Sequence, residues 1–220
     1  MMGLKRMFWF LRRMLRPAAK EATGQIRPMS LLGWQITMLS LDWKVRTILE
    51  IGTWKGEGST RCIANGVRIR NRINRRVTAQ SIESNREMFL IAAKNHLHGT
   101  TGLDLLWGRI VDADELQDED LSPQEKLWID NDREALKTAP DVREMLPESI
   151  DLLILDGGEF STEAEFEYLV RRIKRWVVLD DTLMRKTKAI HSNLASGRYG
   201  PFRCIYSSSA RNGFAIWLRV

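Results

Sequence analysis

The chain has 220 residues, 44% of them hydrophobic, enough for one domain with a sizeable core. Its formal charge of +6 resides in residues 1–20, where Lys5, Arg6, Arg12, Arg13, Arg16 and Lys20 stand without an acid; the rest of the chain balances 28 basic against 28 acidic residues. That balance excludes a body built as a nucleic-acid-binding surface, no apolar run reaches the ~18 residues of a membrane span, and Cys62 and Cys204 lack the spacing of a disulfide framework or zinc site.

Met1–Lys20 sets Leu4, Met7, Phe8, Leu11 and Leu15 at helical spacing among its arginines and lysines. This is the pattern of a basic amphipathic helix that lies on an anionic membrane surface. The other reading of the same face is packing, on the domain or on a second subunit as a homodimer. Residues 21–44 read as a linker and a capping helix, the helix over 29–40. The domain proper runs over 45–220, where short apolar segments alternate with helical ones. Strands are expected at 47–51, 77–82, 103–107, 151–155 and 175–180, and helices near 58–70, 84–97, 161–173 and 184–196. Such alternation predicts an α/β fold with a parallel sheet covered on both faces. Strands at 201–206 and 213–219, parted by Ser207–Asn212, read as a terminal hairpin. The insertion 109–150 is longer than a crossover helix needs, and Ser122 before Pro123 reads as a helix start, so extra helices near the site are expected. The basic run Arg68, Arg70, Arg72, Arg75 and Arg76 reads as a solvated face.

The densest chemistry lies at Ile48–Thr60. The apolar run ends in Glu50 and turns through Gly52, Gly56 and Gly58 into a helical pattern. Glycine permits a tight turn and close approach of a ligand, and the helix that follows aims free N–H groups at it. A carboxylate at the strand tip repels a pyrophosphate but receives a cationic or hydroxyl-rich ligand. Ligands of open α/β sheets bind beyond the carboxyl ends of the strands, so the later ends matter equally. The second carries Glu83, placed to accept from two ribose hydroxyls. The third carries Trp107-Gly108-Arg109, where an adenine ring can be flanked. The fourth carries Asp156-Gly157-Gly158-Glu159 and the fifth Asp180-Asp181-Thr182. A strand tip has no general need for a carboxylate, so acids at four of five tips mark a site.

The spacing Glu50-x-Gly52-x-x-x-Gly56 resembles motif I of class I S-adenosylmethionine-dependent methyltransferases, a resemblance that covers roughly residues 45–220. It implies a Rossmann-like methyltransferase fold: a mostly parallel seven-stranded sheet, helices on both faces, and a C-terminal antiparallel hairpin. It implies S-adenosyl-L-methionine as cofactor, held by Glu50, Gly52, Thr53, Trp54, Gly56, Gly58, Ser59, Glu83, Gly108, Arg109 and Asp156. The loop is similar to that of catechol and caffeoyl-coenzyme A O-methyltransferases. Asp156, Asp180 and Asp181 resemble the metal site of those enzymes and of macrolide-sugar and cephalosporin-hydroxylase-like methyltransferases. Three carboxylates without His or Cys suit Mg²⁺ or another hard divalent cation. On the alternative reading Asp156 meets the sulfonium or amino group, while Asp180 and Asp181 cap the next helix. Three residues after the strand-four acid those relatives carry a lysine or histidine base; this chain carries Glu159, which with Asp156 is the catalytic candidate.

The function expected is O-methylation of a small-molecule or glycan hydroxyl. The alternative is a non-catalytic module of the same fold at a membrane surface. The loop also fits short-chain dehydrogenases, but these need Tyr-x-x-x-Lys, and four places after Tyr168, Tyr199 and Tyr206 stand Arg172, Arg203 and Ala210. The cysteine usage fits a reducing, cytoplasmic compartment, and no specific nucleic acid is expected.

Overall fold

The computed structural model describes residues 26–73, 76–96 and 102–220; the amphipathic segment 1–20 lies outside them. Seven strands form one sheet: β1 (Thr47–Ile51), β2 (Thr78–Glu83), β3 (Leu103–Trp107), β4 (Ile150–Leu155), β5 (Ile173–Asp180), β6 (Phe202–Ser208) and β7 (Phe214–Arg219). Their spatial order is β3-β2-β1-β4-β5-β7-β6. β1 to β5 pair in parallel, and β7 runs antiparallel between β5 and β6. This is the mostly parallel Rossmann-like sheet with a terminal hairpin that the loop motif implies. Strand order reverses between β1 and β4, and the crevice at that reversal is where such sheets receive ligands.

The central strands are apolar on both faces because helices cover both. Successive strand residues point to opposite sides, and β4 divides accordingly: Leu153 and Leu155 join one core cluster, Leu152 and Ile154 the other. The first cluster packs under α4 (Pro123–Thr138), α5 (Ser161–Leu169) and α6 (Arg185–Ala195), through Ile129, Phe166 and Ile190 among others. The second packs under α1 (Leu31–Leu41) and α2 (Ser59–Arg72), through Ile36, Ile63 and Val67. The remaining helix, α3 (Arg86–His96), follows β2. No described helix is long and apolar enough to cross a membrane.

Local chemistry starts these helices where side chains can satisfy their free N–H groups. Ser30 accepts from Gly33 N at 3.1 Å to open α1. At α4 Ser122 accepts from Glu125 N, Glu125 accepts from Ser122 N at 2.9 Å, and Pro123 takes the first helical position. Two expectations shift. The helix expected to run to residue 173 ends at Leu169, passes through a short turn at Val170–Arg172, and yields to β5 at Ile173. Arg219 Nη1 ties that turn from the far end of the chain, donating to the carbonyls of Val170 at 3.2 Å and Ile173 at 2.7 Å. Arg70 is not on a solvated face: it is buried and donates to the carbonyls of Asp42 and Val45, pinning the α1–β1 connection to α2.

Candidate active site

The loop after β1 is pressed against the end of β4. A Cβ on Gly52 would lie 2.1 Å from the Asp156 carbonyl oxygen, and its φ of +92° is one that glycine adopts freely. Two residues on, Trp54 is held at φ +50° by its own N–H, which donates to Glu83 Oε2 at 2.6 Å. A charge-assisted bond of this kind offsets the cost of a left-handed tryptophan. Glu83 Oε1 accepts in turn from Asn85 N at 2.9 Å. Its carboxylate is therefore fixed in position while each oxygen keeps a lone pair for a ligand. Burial raises the Glu83 pKa.

Glu50 lies below this loop. It is fully buried, accepts from Thr60 Oγ1 at 2.7 Å and from Ser81 Oγ, and its Oε1 carries no hydrogen bond. Burial pushes its pKa up to about 7. Thr53 Oγ1 pairs with Ser81 Oγ at 2.6 Å, so Glu50, Ser81, Thr60 and Thr53 form one knot under the loop. Gly56 is braced by His96, whose Nε2 lies 2.7 Å from the Gly56 carbonyl oxygen, and Gly58 precedes Ser59 at the start of α2.

Above the strand ends opens a cavity of about 620 Å³, within the range of small-molecule sites. Gly52, Trp54, Glu83, Gly108 and Asp156 line it. Its wall is acidic: among the described residues Glu83, Glu87, Asp132, Glu134, Asp156 and Glu165 line it with one cation, Arg86. Burial, followed by the nearby Asp132, pushes Glu165 up to about 8, and burial also raises Asp132. Arg109 lines neither this cavity nor its neighbour. Its guanidinium donates to Asp112 at 2.9 Å and to the Ala139 carbonyl at 2.6 Å, closing the insertion back on the edge of β3.

A second cavity of about 290 Å³ adjoins the first, and Thr53, Trp54, Ser59, Asp156 and Lys186 are among its walls. Asp156 belongs to both. Here the three expected carboxylates converge, one oxygen from each of Asp156, Asp180 and Asp181 lying within 4.8 Å of the others. The chain supplies its own cations to them. Lys186 Nζ donates to Asp156 Oδ1 and Asp181 Oδ2, both at 2.8 Å, and Arg211 Nη2 lies 3.2 Å from Asp180 Oδ2. Burial alone would lower the Lys186 pKa; the two carboxylates more than offset this and raise it. Burial and then Asp156 push Asp180 up to about 7, with Arg211 opposing. Oδ1 of Asp180 and of Asp181 are buried without a hydrogen bond. Glu159 lines neither cavity; its Oε1 accepts from Lys186 N at 3.3 Å, in the first turn of α6.

A divalent ion at this cluster needs carboxylate oxygens that no other cation holds. Lys186 Nζ holds Asp156 Oδ1 and Asp181 Oδ2 and Arg211 Nη2 faces Asp180 Oδ2, so each of the three carboxylates already carries a cation of the chain's own, and the set as arranged does not favour a metal. The fit to S-adenosylmethionine is better: a cavity of suitable size, acids toward a cationic ligand, and Gly52, Gly108, Gly157 and Gly158 among its walls.

Four residues of this site escape a reading of strand ends. Asp132 and Glu165 sit on the flanking helices α4 and α5; Lys186 and Arg211 come from α6 and the β6–β7 turn. Lys186 alone left a local signal. α6 carries Arg185 and Lys186 at its start with no acid in the first turn, the reverse of what a helix dipole favours.

No protein-family model matches the sequence, and comparison with curated proteins finds no match. Solved structures do match. A methyltransferase from Geobacter sulfurreducens superposes with a TM-score of 0.58 at 14% identity, over 98% of this chain and 96% of that one. An O-methyltransferase from Bacillus cereus in complex with S-adenosylhomocysteine gives 0.53 at 14% identity, over 98% and 88%. An O-methyltransferase from Streptomyces achromogenes involved in tomaymycin synthesis, in complex with S-adenosylmethionine, gives 0.54 at 18% identity, over 86% and 79%. The chain has the class I methyltransferase fold.

Proposed function

We propose that this protein is an S-adenosylmethionine-dependent methyltransferase acting on a hydroxyl oxygen of a small molecule or glycan. The observation that carries the reading is the acid-walled cavity of about 620 Å³ at the strand-order reversal, with Glu83 fixed by two backbone N–H groups at its edge. Such a wall attracts a cationic ligand rich in hydroxyls and repels a pyrophosphate. When bound, S-adenosylmethionine supplies a methyl group made electrophilic by its sulfonium sulfur.

Glu83 receives the ribose hydroxyls, and the Gly52–Ser59 loop approaches the methionine portion. Glu50 lies too deep to touch a ligand and acts by holding the loop through Thr60 and Ser81. Asp156 stands between the cavities, facing the cofactor on one side and the acceptor on the other. Of the two catalytic candidates it is the better placed to take the acceptor's proton, since it lines both cavities and Glu159 lines neither; its Oδ2 accepts only a long bond from Ser59 Oγ, at 3.4 Å. Holding donor and acceptor in line supplies most of the acceleration. The basic arm 1–20 is read as bringing this cytoplasmic domain to an anionic membrane.

A second reading rests on Glu159. The position of the expected base is spent on a helix terminus, which favours cofactor binding without turnover. Turnover of no hydroxyl acceptor by a protein that binds S-adenosylhomocysteine would favour it.

Calorimetric titration with S-adenosylhomocysteine tests the cofactor site. Micromolar affinity is expected, and Glu83→Ala weakens it by about 1.5–3 kcal/mol, the value of hydrogen bonds to a charged acceptor. Equal affinity in the variant removes Glu83 from the ribose site.

A further inference from the structure

A lysine in the first turn of a helix opposes the helix dipole, and burying its ammonium adds a desolvation cost. Lys186 does both, at 7% exposure. What offsets these costs is the pair of carboxylates that it bridges, Asp156 from the end of β4 and Asp181 from the end of β5. With Arg211 on Asp180, every carboxylate of the cluster has a cation of the chain's own.

We infer that the Lys186 ammonium is the resident cation of this acceptor-side carboxylate cluster, standing in the place of a divalent metal, so that the protein works without one. The inference rests on the methyltransferase reading for its purpose, though not for its test. Charge sets the two cations against each other. The ammonium lies 2.8 Å from both Asp156 Oδ1 and Asp181 Oδ2, and a divalent ion bound to the same three carboxylates, at metal–oxygen distances of about 2.0–2.6 Å, would be crowded against that buried positive charge. A protonated amine so placed can only repel it and cannot ligate it. Removing the ammonium would leave three carboxylates with one oxygen of each within 4.8 Å of the others, the Oδ1 atoms of Asp180 and Asp181 unbonded, and only Arg211 to neutralise them. That is an acidic, all-oxygen site of the kind hard divalent ions fill.

The test uses the full chain, with and without S-adenosylhomocysteine, titrated with Mg²⁺ and Mn²⁺ by calorimetry and by thermal melting. The wild type is expected to take up neither ion and to keep its Tm. Lys186→Ala is expected to bind one equivalent and to gain about 5–10 °C in Tm at ion concentrations about a hundredfold above Kd. Adding Asp181→Asn to that variant should abolish the gain. Should Lys186→Ala fold only with the ion present, the same conclusion holds. Should it fold under neither condition, Lys186→Gln, which keeps a donor to the carboxylates, is read in its place. One equivalent of Mg²⁺ or Mn²⁺ on the wild type overturns the inference, as does a folded position-186 variant that ignores both ions. Failure of S-adenosylhomocysteine to bind the wild type would sink the methyltransferase reading instead, and leaves the metal result to be read on its own.

Discussion

At the scale of single residues the cavity acids make the sharpest prediction. Glu165 is raised from 4.5 to about 8 by burial, then by Asp132, with Glu83 adding to the same push. Between those values the native carboxyl keeps a proton that the unfolded chain has lost. Its contribution to stability is therefore full below about 4.5, declines as pH rises, and is gone above about 8. Glu50, pushed up to about 7, adds to the same trend. Melting temperature should fall across this window, and Glu165→Gln should flatten the fall by up to about 1.4 kcal/mol per pH unit. An unchanged slope in the variant would mean that Glu165 ionises normally in the folded protein. The strand-tip acids Glu83, Asp156 and Asp180 were legible in the sequence because parallel strands all end at one edge, so position along a strand tells position in the site. Asp132, Glu165 and Lys186 were not, because helix packing decides which of their faces meets the cavity. Arg109 shows the converse: it stands at a strand end, yet an acid three residues away draws it off.

At the scale of elements the insertion 109–150 supplies α4, whose Asp132 accepts from Phe160 N at 2.9 Å and walls the cavity. The helix start was readable from Ser122 and Pro123, since a cap is local chemistry. Ser122→Ala removes the reciprocal cap and should cost about 0.5–2 kcal/mol, lowering Tm by about 2–4 °C for each kcal/mol. Weaker binding of S-adenosylhomocysteine should accompany it if α4 shapes the cavity; a lower Tm with unchanged affinity would confine α4 to a structural role. The end of α5 was less readable. No glycine or proline marks Val170–Arg172, and what fixes the turn is Arg219 at the other end of the chain.

At the scale of the molecule, the alternation of apolar and helical segments was enough to place five parallel strands, because each crossover needs a helix and both sheet faces must be covered. The arm is a separate matter. The body balances its charges, so deleting residues 1–20 should leave folding and S-adenosylhomocysteine binding intact and abolish sedimentation with anionic vesicles. Raised salt should weaken the association of the full chain. Indifference of the full chain to vesicles would assign the arm to packing. The central claim is that an acid-walled cavity at the strand-order reversal receives the cationic, hydroxyl-rich S-adenosylmethionine rather than a pyrophosphate cofactor. Parallel calorimetric titration of the same protein with S-adenosylhomocysteine and with NAD tests it most directly. The account predicts micromolar binding of S-adenosylhomocysteine and NAD weaker by about tenfold or more, a difference of about 1.4 kcal/mol. NAD binding as tight as S-adenosylhomocysteine, or no binding of S-adenosylhomocysteine at all, would contradict it.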